Sequence, residues 1–183
     1  MLNDTHQWVA LYTNARAEKK TAQTLQTAGY EIYLPLQHTR RQWSDRWKSV
    51  EVPLFNSYIF AKIRAKDVAP VRNSAGVVTI VSWHGKPAII PDKEIDAIKR
   101  LMDAQKEIHV KNSSQLKRGA MVRIVEGPFV NMEGMLISDC EEGNFCVSIS
   151  GLDFALVTTI EESILVPAEE DPNCQKGLWE EGD

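Results

Sequence analysis

Residues 57–63, Ser57-Tyr58-Ile59-Phe60-Ala61-Lys62-Ile63, alternate as a strand does, with Tyr58 and Phe60 on one face and Ile59, Ala61 and Ile63 on the other. Residues 8–12, Trp8-Val9-Ala10-Leu11-Tyr12, repeat the pattern, setting Trp8, Ala10 and Tyr12 against Val9 and Leu11. Two such strands predict a sheet whose aliphatic face is covered by helices. The aromatic face is then either a second buried layer or an exposed apolar patch, and a patch of that kind usually marks an interface.

Helices for that role are present. Residues 15–28 carry Ala17, Thr21, Leu25 and Ala28 on one side and Arg16, Lys19 and Lys20 on the other, with Asn14 as expected N-cap and Gly29 as C′ stop. A shorter helix is expected over 67–73, where Pro70 falls in the first turn and loses no intrahelical bond. A third starts near Pro91 and Asp92, buries Ile95, Ile98, Leu101 and Met102, and has acids early and Lys99 and Arg100 late, as the helix dipole favours. Further strands are expected near 32–36 and over 77–83.

Residues 103–117 are polar and read as a connection. Beyond them the pattern is strand-like throughout, with Val122 and Ile124 alternating with polar neighbours, Phe145, Val147 and Ile149 doing the same, and turns at Gly127-Pro128, Gly134 and Gly143-Asn144. Five short strands in about 50 residues predict a small barrel. The resulting division is 1–106, a linker over 107–115, a barrel over 116–166, and an acidic tail over 167–183 that is expected to be disordered.

The 183 residues carry a formal charge of -4, which by itself argues against a polyanion partner. Its distribution argues otherwise. Residues 1–110 hold 16 basic and 11 acidic side chains, a charge of +5, whereas residues 111–183 hold 5 basic and 14 acidic, a charge of -9. Within the basic half, the segment 38–48 (His38-Thr39-Arg40-Arg41-Gln42-Trp43-Ser44-Asp45-Arg46-Trp47-Lys48) interleaves four basic side chains and two tryptophans with one acid. Cations release counterions from phosphates and flat rings stack on bases, so the composition suits nucleic acid or a polyanionic protein. The alternative is a solvated hairpin with Trp43 and Trp47 tucked against its base.

Enzymatic signatures are absent: no dinucleotide fingerprint, no P-loop, no H-E-x-x-H and no G-x-S-x-G. Cys140, Cys146 and Cys174 are odd in number and lack C-x-x-C spacing, and the histidines are scattered, so neither disulfide, metal nor cofactor is expected. No stretch approaches the roughly 20 apolar residues of a membrane helix, and the first residues lack a signal peptide's basic and apolar regions. A cytoplasmic, non-enzymatic monomer that avoids membranes is expected.

Taken in order, Trp8-Val9-Ala10-Leu11-Tyr12, then Val52-Pro53-Leu54-Phe55-Asn56-Ser57-Tyr58-Ile59-Phe60, Val71-Arg72-Asn73-Ser74-Ala75-Gly76-Val77 and Lys86-Pro87-Ala88-Ile89-Ile90-Pro91-Asp92-Lys93-Glu94-Ile95 resemble the N-terminal domain of the NusG family of transcription elongation factors. Residues 119–129, closed by Gly134, resemble that family's C-terminal KOW module. Gln42-Trp43-Ser44-Asp45-Arg46, the Val50-to-Phe55 stretch and Ser57-Tyr58 look most like the UpxY-type antitermination paralogues, associated with surface-polysaccharide operons and related to RfaH proteins. General members usually have Pro-Gly before the tyrosine, where this chain has Asn56-Ser57.

The resemblance implies an α+β protein, an α/β sandwich followed by an SH3-like β-barrel. It implies an elongation and antitermination factor whose first domain lays an apolar depression on the clamp helices of RNA polymerase. Tyr12, Tyr58 and Phe60 match that depression, and Ile80 and Trp83 are candidates for its rim. Arg16, Lys19, Lys20, Arg40, Arg41, Arg46, Lys48 and Arg72 would face upstream or non-template DNA. The stretch corresponding to a second polymerase contact in RfaH proteins is here Asp67-Val68-Ala69-Pro70, which lacks their threonines. The barrel would bind a ribosomal small-subunit protein or the termination factor Rho through Leu152 and Phe154, which their alternation with Asp153 equally fits to the barrel core. An RNA-binding or ribosome-associated KOW protein is the rival reading, and the acidity of the barrel half weighs against it.

Overall fold

The structure, a computed structural model, describes residues 2, 4–42, 47–104, 108–112, 120–127, 129–136, 144–148, 152, 154–159 and 165–168. The two alternating stretches form the centre of the first sheet: β1 (Gln7–Thr13) runs antiparallel to β5 (Tyr58–Ile63), with Ala10 opposite Phe60 and Tyr12 opposite Tyr58. β2 (Glu31–Tyr33) extends the sheet beyond β5. The other edge of β1 is shared by β6 (Val77–Ile80) and β9 (Ile89–Ile90). Between those two, the chain leaves the sheet as a short hairpin of β7 (Ser82–Trp83) and β8 (Lys86–Pro87). A longer hairpin, β3 (Leu36–Gln42) with β4 (Trp47–Pro53), pairs only with itself among the described strands.

The aliphatic face is covered as its pattern predicts. Val9, Leu11, Ile59, Ala61, Ile63 and Ile80 pack with Ala22 and Leu25 of α1 (Glu18–Thr27) and Val71 of α2 (Val68–Arg72). A 3₁₀ turn at Ala65–Asp67 leads into α2, and Pro70 lies within its first turn. α1 starts later than expected and without Asn14 as a side-chain cap: Ala17 is the N-cap, and the Ala17 amide donates to the Asn14 carbonyl at 3.1 Å. The reason is local, because Arg16 has a φ of 62°, a left-handed turn that no helix can run through. The buried stripe is therefore Glu18, Thr21, Ala22 and Leu25, and Ala28 is exposed. Gly29 ends the helix at a φ of 90°, as its C′ position requires.

The aromatic face is largely a second buried layer. Trp8, Ala10 and Phe60 pack with Leu54, Phe55 and Ile90 and with Ile95, Ile98 and Leu101 of α3 (Asp92–Asp103), while Met102 is half-buried at its margin. The sheet is thus sandwiched, with α1 and α2 on one side and α3 on the other.

The second sheet contains β10 (His109–Asn112), β11 (Met121–Ile124), β12 (Glu133–Leu136), β13 (Asn144–Ser148), β14 (Phe154–Thr159) and β15 (Leu165–Pro167), ordered β10-β14-β13-β12-β11-β15 and antiparallel throughout. That is one strand more than the five expected. β10 lies inside the span 107–115 read as linker and pairs along β14, from His109 opposite Val157 to Asn112 opposite Phe154. Its four residues carry one apolar side chain in polar surroundings, so only the ladder, and no periodicity, marks them as strand. Most of the tail, 169–183, lies outside the described residues. Val122, Ile124, Phe129, Met132, Val147, Leu152 and Leu156 of this half belong to the same apolar cluster as Trp8, Phe60 and α3, and Arg100 Nη2 donates to the Val130 carbonyl at 2.7 Å.

Candidate functional site

The tyrosines lie at one end of the central strand pair, Tyr12 next to last in β1 and Tyr58 first in β5. Tyr12 and Tyr58 stand opposite each other and meet edge to face, with ring centroids 5.2 Å apart and planes at 61°. Tyr12 is 39% exposed and Tyr58 half-buried. Two residues along the same strand, Phe60 is 0% exposed, edge-on to Phe55 at 5.6 Å and stacked on Tyr33 at 6.2 Å. Phe60 therefore belongs to the buried layer and not to the open surface.

Register removes Ile80 from the rim. It pairs with Leu11, on the aliphatic face, and is buried with α1 and α2. Trp83 fits a rim better: it is 55% exposed on the β7–β8 hairpin, edge-on to His84 at 5.1 Å. That hairpin is rooted next to β1, where the Val81 amide donates to the Ala10 carbonyl at 2.9 Å and the Ala88 amide to the Val81 carbonyl at 2.9 Å.

The opposite end of the aromatic face is closed by charge as well as by α3. Lys62 Nζ donates to Asp92 Oδ1 at 2.9 Å and lies 5.6 Å from the centre of the Trp8 ring. Lys99 of α3 lies 5.7 Å from Trp8 and 5.6 Å from Tyr33. The Lys62 hydrogen bond holds the Asp92 carboxyl below its usual range, and burial, with Asp103 nearby, raises the Tyr33 phenol well above its own. Both tyrosine ring and tryptophan here serve as cation shelves within the fold.

The turn before Tyr58 has features that sequence reasoning missed. Ser57 has a φ of 64°, its carbonyl accepts from the Thr13 amide at 2.8 Å, and its amide donates to Glu18 Oε1 at 2.7 Å. Glu18 is 6% exposed although it opens α1. The signal was available in the substitution of Asn56-Ser57 for the usual Pro-Gly, since a glycine before the tyrosine announces a positive φ.

Of the basic residues, Arg16, Lys19, Lys20, Arg40, Lys48 and Arg72 are exposed. Lys19 Nζ reaches Glu51 Oε2 at 3.2 Å, tying α1 to the β3–β4 hairpin, although a pair about half-exposed on both sides adds little stability. Along the hairpin Arg40 stands opposite Ser49, Arg41 opposite Lys48 and Gln42 opposite Trp47. Two like charges in one ladder position disfavour each other. Trp47 does not tuck against the base: it is 66% exposed, at the end of the ladder farthest from the Leu36–Pro53 pair. Trp43, Arg46 and the side chain of Arg41 lie outside the described residues.

In the second half Leu152, between β13 and β14, is buried in the shared apolar cluster, the core role its alternation allowed. Phe154 begins β14, and its side chain is outside the described residues. Burial pushes the Cys146 thiol up to about 11, away from thiolate chemistry. Among the described residues no cluster of His, Cys, Asp and Glu could hold a metal ion, and no helix is long and apolar enough to cross a membrane.

Residues 6–99 match the family model described as "Transcription termination factor nusG". The transcription termination/antitermination protein NusG of Rickettsia typhi is 28% identical over 171 residues, covering 87% of this chain and 88% of its own length. Its namesake from Streptococcus pyogenes serotype M3 is 28% identical over 144 residues, covering 71% of this chain and 79% of itself. A solved structure described as "Domain interaction in Thermotoga maritima NusG" superposes with a TM-score of 0.51 at 22% identity, covering 90% of this chain and 98% of that one, a likeness of fold.

Proposed function

Since the chain belongs to the NusG family, we propose that it is a transcription termination/antitermination factor that binds elongating RNA polymerase through the open end of its aromatic face. The observation that carries this reading is the Tyr12–Tyr58 pair: two aromatic rings held edge to face and left partly open, on a face where Trp8, Ala10 and Phe60 are buried. Aromatic side chains on a rigid sheet make low-entropy anchors for an apolar helical partner. Trp83 provides the rim, and the clamp helices of the polymerase are the partner the family resemblance implies.

The basic residues extend the reading. Arg16, Lys19, Lys20 and Arg72, with the Arg40, Arg41 and Lys48 positions of the hairpin, supply the positive field by which the first half would sit beside upstream or non-template DNA. The second half, as an SH3-like barrel of the KOW type, would recruit Rho or a ribosomal small-subunit protein. Leu152 is buried, so we assign that contact to other residues of the barrel. The Asn56-Ser57 departure supports a specialised, UpxY-like antiterminator acting on a surface-polysaccharide operon.

The test is transcription by the cognate polymerase on a template carrying a terminator. The protein is expected to raise readthrough, and Tyr58→Ala to lower that gain by roughly tenfold, the scale of one interface anchor. Readthrough equal with and without the protein would overturn the assignment.

A further inference from the structure

The turn that delivers Tyr58 holds a conformation its own residue disfavours. The Tyr58 amide closes the turn on the Phe55 carbonyl at 3.3 Å, and Ser57, its third residue, has a φ of 64°. There a Cβ crowds the backbone, which is why glycine or asparagine is the usual occupant. Two hydrogen bonds hold Ser57 in place, one from the Thr13 amide to its carbonyl at 2.8 Å and one from its own amide to Glu18 Oε1 at 2.7 Å. The helix dipole favours a carboxylate in a first turn but does not require it to be buried. Glu18 is only 6% exposed, and burying a carboxylate is costly unless it is hydrogen-bonded, a need the Ser57 amide meets.

We infer that Glu18 is a positioning residue for the Tyr12–Tyr58 pair: its carboxylate clamps Ser57 in the left-handed conformation and so sets where Tyr58 leaves the turn. Thr13 follows Tyr12 and Ser57 precedes Tyr58, so the clamp and the Thr13–Ser57 bond act one residue away from each ring. A change at Ser57 reaches Tyr58 through the backbone, with no side-chain torsion between them to absorb it. The inference rests on the docking role proposed for that pair.

Glycine adopts a positive φ without a clamp, which gives the test its form. In the full chain, Glu18→Ala, Ser57→Gly and the two combined are compared for affinity to a reconstituted elongation complex and for the NMR cross-peak between the Tyr12 and Tyr58 rings. Glu18→Ala is expected to weaken binding about tenfold, the scale of a lost hydrogen bond to a charged group, and to erase the cross-peak. Ser57→Gly should match wild type, and the combination should recover both readouts to within about twofold, a non-additivity that marks residues acting on each other. Glu18→Gln, which keeps an acceptor oxygen without the charge, should fall between. Absence of rescue in a chain folded by circular dichroism would overturn the inference, leaving Glu18 a helix-terminal support alone. If Glu18→Ala does not fold, Glu18→Gln with and without Ser57→Gly makes the same comparison. Should Tyr58→Ala bind as well as wild type, the docking reading fails by itself, and the cross-peak still decides the positioning role.

Discussion

At the scale of the residue, the carboxyl of Asp67 shows how one acid sets a local structure. It accepts from the Arg64 amide at 3.0 Å and from Arg64 Nε at 3.1 Å, bracing the 3₁₀ turn that leads into α2. The backbone hydrogen bond, with the guanidinium adding to it, holds the carboxyl below its usual range. A folded value below the unfolded one means the contribution is in place above about 3.9 and is lost as pH falls from there through the folded value. Asp67→Ala is expected to cost about 1 kcal/mol at neutral pH, as loss of a helix cap does. In urea titrations the gap between variant and wild type should close at pH values below the folded one. The residue-level pattern was also where the sequence misled most. Glu18 looks like any first-turn acid and Ile80 like any strand apolar residue; a hydrogen bond made 39 positions away, and a register opposite Leu11, assign their places.

At the scale of the element, the β3–β4 hairpin stands out because its charge and its aromatic side chain gather at one end. Seven-residue strands pair from Leu36–Pro53 outward to Gln42–Trp47, and the described basic positions lie in the outer half of the ladder. On the proposed reading, a hairpin with two such positions face to face would gain by meeting phosphates. Replacing Arg40 and Arg41 together by alanine is expected to weaken binding to elongation complexes and to reduce the slope of log affinity against log salt by roughly 1 to 2, since each phosphate left without its cation lowers that slope by about one unit or less. An unchanged slope, measured between low and physiological salt, would remove the hairpin from the nucleic-acid interface. A hairpin over residues 38–48 was one of the two readings the sequence offered. That Trp47 points away from its base was not, because tryptophan's apolarity argues for burial and only the ladder shows that nothing described lies there to bury it.

At the scale of the whole molecule, the two halves differ in charge, +5 against -9, yet share one apolar cluster. Phe129 is 1% exposed in that cluster, which also holds Trp8, Phe60 and Ile98 of the first half. Phe129→Ala is therefore expected to cost about 3–5 kcal/mol, as truncation of a buried phenylalanine does. Hydrogen exchange should show the loss at the amides of β1 as well as of β11. Loosening confined to the second half would mean that the two sheets are energetically independent. By itself the sequence determined the two central strands of the first half, which face of each is aliphatic, the three helices, and the basic and acidic division of the chain, because these depend on period and composition. Tertiary structure alone decided that α3 closes the aromatic face at Trp8 and Phe60 and leaves Tyr12 and Tyr58 partly open, and that His109–Asn112 is a strand. It also decided that a buried carboxylate holds Ser57 where glycine is usual. Each of these turns on which surfaces meet across long stretches of chain, and periodicity records only that a surface is apolar, never what covers it.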